Sequence, residues 1–545
     1  MKGIGGGWRG AFAAAVALGV GELAAIAVRP SASPLVAVGG AVIDATPAGV
    51  KDFAIRTFGV YDKAVLIGAM VVVVGAVMLA LGRRPLFAGV AIGCGAGFAA
   101  LVAAGRPGAD LLDVVPSVVS GLAGSAALWL AVASDGQRVR PPGESSAPEG
   151  PRLAAASLSA AGSYGGRRFN ERVPESSWAE RRASKGWASR GPGSEGRRIL
   201  LVGSFGLLIA AAVGGVAGRV AGAGQAVAAT FRLPRPASPA KPLPAGVDLR
   251  VPGLTPFTTL NRDFYRVDTA LVVPRVDPRN WTLRITGMVD RPLEIDFADL
   301  LARPLVERDI TLTCVSNEVG GPYAGHARWL GAPLLDLLRE AGVRRGADQL
   351  LSTSADGFTC GTPLTAVMDG RDALLAVAMN GDVLPAEHGF PARMVIPGLY
   401  GYASATKWVV ELKLTTFAAE QAYWVRRGWA PDGEIKTMSR IDVPAPLARV
   451  QPGPVQVAGV AWAQRRGVAA VEVRADDGPW SPARLAEVPG IDTWRQWTWT
   501  WQATPGTHRL EVRATDGAGR TQQVARVPPF PDGATGHHSI VVTVP

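Results

Sequence analysis

Apolar residues run unbroken over long stretches up to residue 218 and alternate in short stretches beyond residue 256. Crossing a bilayer takes about 17–25 consecutive apolar residues. Ala11–Val28, Ala64–Leu81, Leu86–Ala104, Val114–Val132 and Ile199–Gly218 all meet that length, which predicts five transmembrane helices. Glycines at 93, 95, 97, 121 and 124 would let such helices approach closely in lipid. In the second half, Trp281–Ile285, Asp309–Cys314, Leu374–Met379 and Arg393–Ile396 read as strands. Pro333 opens an amphipathic helix with Leu334, Leu337, Leu338 and Ala341 on one face. Strands mixed irregularly with helices predict an α+β domain. From about Ala445 the helical period disappears. Val455–Val460, Val468–Arg474, Trp494–Trp501, His508–Arg513 and Ser539–Val544 read as strands of a small β-sandwich. Trp497, Trp499 and Trp501 share one strand face, which fits a sandwich core or an aromatic ligand-binding patch.

Charge gives this pattern an orientation. The 545 residues carry a net charge of +11. Lys2 and Arg9 precede the first run, Arg83 and Arg84 separate the second and third, and Ser134–Arg198 holds 12 Arg/Lys against 7 Asp/Glu. With these segments in the cytoplasm the five spans alternate consistently. Arg29–Lys63 and everything after Arg219 then lie outside. Part of the positive charge is thus a topology signal, and no nucleic-acid partner is expected. The Ser/Gly/Pro-rich stretch 134–197 reads as a disordered basic linker. Gly196-Arg197-Arg198-Ile199-Leu200 sets an arginine pair against the last run. It resembles a twin-arginine export signal and also fits ordinary cytoplasmic flanking. Seven prolines from 234 to 256 predict an extended spacer. Expected units are 1–133 (four spans), 134–197 (linker), 198–220 (fifth span), 221–256 (spacer), 257–418 (α+β domain) and 419–545 (β domain). Glu22, inside the first span, is either a functional carboxylate or a helix-pairing group.

The chemistry-bearing residues gather in the second half. All five histidines, 326, 388, 508, 537 and 538, lie there, so a bis-histidine haem within the spans is excluded. Three cysteines are too few for a disulfide scaffold or a self-contained four-cysteine metal site. Cys314 ends a strand at Thr311-Leu312-Thr313-Cys314-Val315-Ser316-Asn317-Glu318. A thiolate there could be a soft-metal ligand or a nucleophile, or it could pair with Cys360 in a disulfide. Asn261-Arg262-Asp263-Phe264-Tyr265-Arg266-Val267-Asp268, Ala386-Glu387-His388-Gly389-Phe390-Pro391-Ala392-Arg393 and Tyr400-Gly401-Tyr402-Ala403-Ser404-Ala405-Thr406-Lys407-Trp408 add aromatic, cationic and glycine positions. Such groups converging on one thiolate suit a large anionic cofactor.

On these segments, together with Met379-Asn380-Gly381 and Pro385, the sequence resembles the sulfite oxidase family of molybdopterin enzymes over roughly residues 255–415. The resemblance implies a molybdenum–molybdopterin cofactor, with no haem and no iron–sulfur cluster. Cys314 would be the catalytic metal ligand. Asn261, Phe264, Tyr265, Arg266, Val267, Asp268, Asp356, His388, Arg393, Ala405, Thr406 and Lys407 would hold the pterin and its phosphate. The β-rich tail looks like the family's immunoglobulin-like domain, which implies homodimerisation. The membrane half suits an actinobacterial-type, multi-pass member with its catalytic domain extracytoplasmic. That member would perform oxygen-atom transfer on a small molecule, an S-oxide or sulfur compound, and exchange electrons with a separate carrier. Cofactor insertion in the cytoplasm would favour twin-arginine export. Relatives acting on sulfite or nitrate usually carry Gly-Asn-Arg-Arg after the cysteine, where this chain has Ser316-Asn317-Glu318-Val319. Phe358 stands near a position that is often tyrosine, and Cys360, Glu318 and His326 are further candidates for the pocket. The alternative is a non-catalytic exported binding module with an immunoglobulin-like tail and a Cys314–Cys360 disulfide.

Overall fold

The computed structural model describes residues 7–136, apart from 30–31, 48–49, 51–52, 55–56, 59–61 and 107–109, and residues 231–545. The expected linker, arginine pair and fifth span lie outside the described residues.

The N-terminal part holds helices α1 (Gly7–Val28), α2 (Pro34–Ala45), α3 (Asp62–Leu81), α4 (Pro85–Ala104) and α5 (Val115–Gly136). Four stretches, Gly7–Val28, Lys63–Leu81, Pro85–Ala104 and Leu111–Ala133, are long and apolar enough to cross a membrane. Small residues set the contact of α1 with α5. A Cβ at Gly124 would stand 2.8 Å from the Ala17 Cβ, and one at Gly21 would stand 2.9 Å from the Ser120 Cβ. Polar groups cluster at the ends of the helices. Arg29 pairs with Asp113, and Ser33 donates to Glu22. The short α2 is also apolar, yet at 12 residues it cannot span.

The middle of the chain forms two sheets around one core. The first has the order β2 (Leu293–Asp296), β1 (Thr282–Gly287), β10 (Val409–Thr415), β5 (Gln349–Ser354), β6 (Thr359–Pro363). The second runs β3 (Val306–Thr313), β4 (Ala324–Pro333), β7 (Leu374–Met379), β8 (Asp382–Val383), with β9 (Arg393–Val395) also paired to β7. Strand β7 is buried at every position, which explains its continuous apolar run rather than an alternating one. Helix α6 (Leu334–Ala341) follows Pro333 and ends at Gly342 in the left-handed region. Leu334, Leu337, Leu338 and Ala341 are its buried face, in the register the sequence predicts.

The last part holds two more four-stranded sheets. One is β11 (Met438–Val443), β12 (Gly453–Trp462), β16 (Arg495–Ala503), β15 (Arg484–Leu485). The other is β14 (Ser481–Pro482), β13 (Val468–Ala475), β17 (Gly506–Asp516), β18 (His538–Val544). Their inner faces share a core that includes Val457, Val471, Trp497, Trp501, Leu510 and Val542. Trp497 and Trp501 are buried and Trp499 packs beside them, so the tryptophan row serves the core. A third cluster, with Phe257, Tyr400, Trp429, Trp462 and Trp494, joins this part to the two middle sheets. The proline-rich segment does not stand free. Ser238 bridges to Val306, and Gln496 accepts from the Leu249 N–H at 2.7 Å.

Candidate active site

Strand β3 is half-buried in its first four residues and fully buried in its last four, so it delivers Cys314 into the interior. The turn that follows is closed by its own residues. The Cys314 N–H donates to the Tyr323 carbonyl at 2.9 Å, and the Asn317 side chain accepts from the Tyr323 N–H at 2.8 Å. Asn317 is thereby a turn-forming residue. Cys314 opens onto a cavity of ≈ 330 Å³. Phe264, Tyr265, Val267, Asp268, Asp356, Arg393, Ala405 and Lys407 line it as well.

Four expected cofactor residues stand behind this wall. Asn261 donates to the Met379 carbonyl and accepts from Asn380, and His388 bonds its backbone carbonyl at 2.8 Å. Thr406 bonds the Ser352 hydroxyl at 2.6 Å. Arg266 reaches the Asp268 carboxylate at 3.2 Å. These residues frame the cavity without lining it. Gly389 holds the frame together. Its φ is +114°, and a Cβ there would lie 3.0 Å from both the Arg393 Cβ and the Lys407 Cα. Only glycine lets the His388 loop, β9 and the start of β10 meet this closely.

The electrostatics are lopsided. Lys407 donates to Asp268 at 2.9 Å and to the Glu387 carbonyl at 3.0 Å. Lys63, from the start of α3, reaches the same carboxylate and the Ala270 carbonyl. Burial alone would raise the Asp268 carboxyl, but Lys407, Lys63 and Arg266 together hold it well below the usual range. Arg393 is 4 % exposed. Its guanidinium donates to carbonyls only, those of Met394, His388 and Ala405, and lies 5.0 Å from the Trp329 ring centre. Among the described residues no carboxylate pairs with it. Burial lowers Arg393 to about 10 and Lys407 to about 8. Burial and then Arg393 push His388 down to about 4, so its imidazole is neutral. His388 Nε2 faces the Asn261 carbonyl, which assigns it the proton; Nδ1 is then a buried acceptor without a partner among the described residues. Burial pushes the Cys314 thiol up, opposed by Ser316 and Lys407. Tyr265, against Phe264 at 5.1 Å, is raised by burial and then by Cys314.

The disulfide alternative fails. Cys94, Cys314 and Cys360 are all free. Cys360 belongs to β6 in the other sheet, with its sulfur 3.9 Å from the Thr362 hydroxyl. His326 is also no pocket residue. It is fully buried, bonded to Thr311 and packed on Phe257 at 4.3 Å. Glu318 is exposed and does not line the cavity, whereas Phe358 does. The sequence reading missed Ser316, Ser354, Tyr402, Tyr423, Trp424 and Trp429, and it missed a wall supplied by residues 42–66. The aromatic cluster at 423–429 was the available signal for part of this.

Residues 270–424 match the model of the oxidoreductase molybdopterin binding domain family. Sulfite oxidase of Gallus gallus is 31% identical over 295 residues, covering 46% of this chain and 63% of that protein. Mitochondrial sulfite oxidase of Homo sapiens is 32% identical over 282 residues, covering 43% and 50%. The chain thus spans less than two thirds of these sulfite oxidases. An uncharacterized oxidoreductase of Bacillus subtilis, YuiH, is 33% identical over 162 residues, which are 29% of this chain and 76% of that one. Among solved structures, the sulfane dehydrogenase SoxCD from Paracoccus pantotrophus is similar over 53% of this chain and 82% of that one, with 25% identity and a TM-score of 0.47.

Proposed function

The chain belongs to the sulfite oxidase family of molybdopterin oxidoreductases, and from that premise we propose a membrane-anchored enzyme whose catalytic domain faces the cell exterior. One observation carries the site reading. Arg393 is buried in the same cavity as Cys314, and among the described residues no carboxylate pairs with it. A buried guanidinium without a counter-charge is costly, and an anionic ligand offsets that cost. The cavity's cations, Lys63, Arg393 and Lys407, with Arg266 behind them, exceed its carboxylates, Asp268 and Asp356. These features fit an anionic pterin.

When bound, the molybdenum centre supplies two-electron oxygen-atom transfer. Cys314 serves as its protein thiolate. Burial keeps that sulfur protonated on its own, so the adjacent cations and the metal are what favour the thiolate. Arg393 and Lys407 would hold the anionic cofactor, with Arg266 supporting them from behind through Asp268. Asp268 and Asp356 accept pterin N–H groups. Phe264, Tyr265, Val267 and Ala405 pack on the rings, while Asn261, His388 and Thr406 fix the frame. The turn after Cys314 carries no arginine pair, so an oxyanion would find few bidentate contacts there. An S-oxide or other small sulfur compound fits better. Electrons pass to or from a separate carrier, and the C-terminal sheets act as an immunoglobulin-like dimerisation domain.

The orientation has support in the fold. Val42, Ile43, Thr46, Val50, Ala54, Lys63 and Leu66 line the catalytic cavity, which supports placing the connection between the first two spans and the catalytic domain on one side of the membrane. Lys2, Arg9, Arg83 and Arg84 belong to the opposite ends of those spans, which is the cytoplasmic pattern. Full-length protein from a cofactor-making host should contain stoichiometric molybdenum, lost in Cys314→Ser with the fold retained. Metal-free native protein from that host would overturn the reading. Arg197→Lys/Arg198→Lys should leave the catalytic domain inside while the first four spans insert; unchanged external exposure would defeat twin-arginine export.

A further inference from the structure

One wall of the Cys314 cavity comes from the membrane half. Val42, Ile43 and Thr46 at the end of α2, Val50 and Ala54 in the connection, and Leu66 in α3 all line it. Two clamps hold this segment against the catalytic domain. Lys63 binds the Asp268 carboxylate, and Asp44 accepts from the Tyr423 hydroxyl at 2.7 Å and from Arg427 at 3.3 Å. Apart from Lys63 and Thr46, the residues of this segment that line the cavity are apolar: Val42, Ile43, Val50, Ala54 and Leu66. Phe358, Tyr423, Trp424 and Trp429 of the catalytic domain line the same space, with Phe358 and Tyr423 5.6 Å apart.

The cavity is therefore amphipathic. Its charged and hydrogen-bonding groups gather around Asp268, Arg393 and Lys407, while an apolar and aromatic sleeve adjoins the outer end of a membrane-spanning helix. A free oxyanion gains nothing from the apolar side chains of that sleeve, and Lys63, which lines the cavity beside them, is already engaged with Asp268. Resting on the family reading above, we propose that the membrane half is the specificity-determining wall of the active site. The substrate class is an uncharged sulfoxide or thioether bearing an alkyl or lipid-like chain, with the chain seated between α2–α3 and the aromatic cluster. Reduction of such a sulfoxide breaks the S–O bond, takes two electrons from the external carrier and two protons, and releases the thioether and water.

The test uses full-length protein in lipid nanodiscs, loaded and cofactor-free. Quenching of tryptophan fluorescence is followed with n-alkyl methyl sulfoxides from methyl to octyl and with sulfite, and empty nanodiscs provide the blank. Each added methylene should tighten binding by up to about 4-fold until the sleeve is filled, with sulfite the weakest ligand. Ile43→Asp should flatten the series to the dimethyl sulfoxide level, and Ile43→Leu should preserve it, with equal molybdenum content in both. A flat series, or sulfite bound as tightly as the octyl compound, in molybdenum-replete native protein would overturn this inference and leave the family reading intact. Persistence of the trend in Ile43→Asp would overturn it too. Metal-free native protein would instead defeat the family reading.

Discussion

The C-terminal sheets and the catalytic sheets both bury charge, and they balance it differently. In the C-terminal part, Asp516 is held by Arg466 at 2.8 Å and by Arg520 at 3.3 Å. Glu511 is held by Arg474 at 2.6 Å and His537 at 3.2 Å. Each of these two buried carboxylates has an arginine of its own, so the fold alone satisfies it. In the catalytic part, Lys407, Lys63 and Arg266 share the single carboxylate of Asp268, and Arg393 has only carbonyls. A one-signed surplus around one cavity is what a chain looks like when a ligand completes its charge balance.

The contrast yields predictions in order of size. Cys314→Ser should reduce activity and molybdenum content by more than about 100-fold, the upper range for outer-shell metal partners, while the circular dichroism spectrum stays native and the unfolding temperature falls toward that of cofactor-free protein. Metal analysis and circular dichroism of one preparation check both halves. Arg466→Met leaves the buried Asp516 with Arg520 as its remaining cation and should cost about 1–3 kcal/mol in urea unfolding. Arg393→Met, made in cofactor-free protein, should be neutral or stabilising by about 1–4 kcal/mol, because it removes a buried charge without leaving an opposite charge unpaired. The same variant should fail to retain cofactor. Equal destabilisation by both substitutions would erase the distinction between the two regions.

A smaller effect comes from His388. Its folded pKa is about 4 against the ordinary 6.5. Between those values the unfolded chain binds the proton and the folded chain does not, so stability falls as pH drops through that window. The loss should approach roughly 3 kcal/mol, and His388→Gln should remove that part of the slope in thermal unfolding scans. A pH profile unchanged by the substitution would place the titration elsewhere. The smallest effect is Lys63→Ala. Asp268 keeps Lys407 and Arg266, so stability should change by about 1 kcal/mol or less, measured by urea unfolding.

Much of this arrangement was legible in the chain. Apolar runs marked the four described spans, and short alternating runs marked the strands, because both periods follow from backbone geometry. Cys314 stood out because a buried strand ended in a thiol before a polar turn. The wall built from residues 42–66 was not legible. At 12 residues α2 matches neither a span nor a strand, and its role depends on a contact with residues several hundred positions away. Tyr423, Trp424 and Trp429 escaped for a related reason, since they sit on an irregular connection without a period. The split between cavity-lining and framing residues also needed three dimensions. Asn261 and Thr406 read as cofactor contacts from their neighbours in sequence, yet their side chains bond Asn380 and Ser352.

The most direct measurement is the molybdenum and pterin content of the full-length protein, taken together with its unfolding temperature, from hosts that make the cofactor and hosts that cannot. Surplus buried cations awaiting an anion predict stoichiometric molybdenum and pterin in the first preparation and a higher unfolding temperature than in the second. Metal-free protein from the cofactor-making host, with the same unfolding temperature in both, would contradict it.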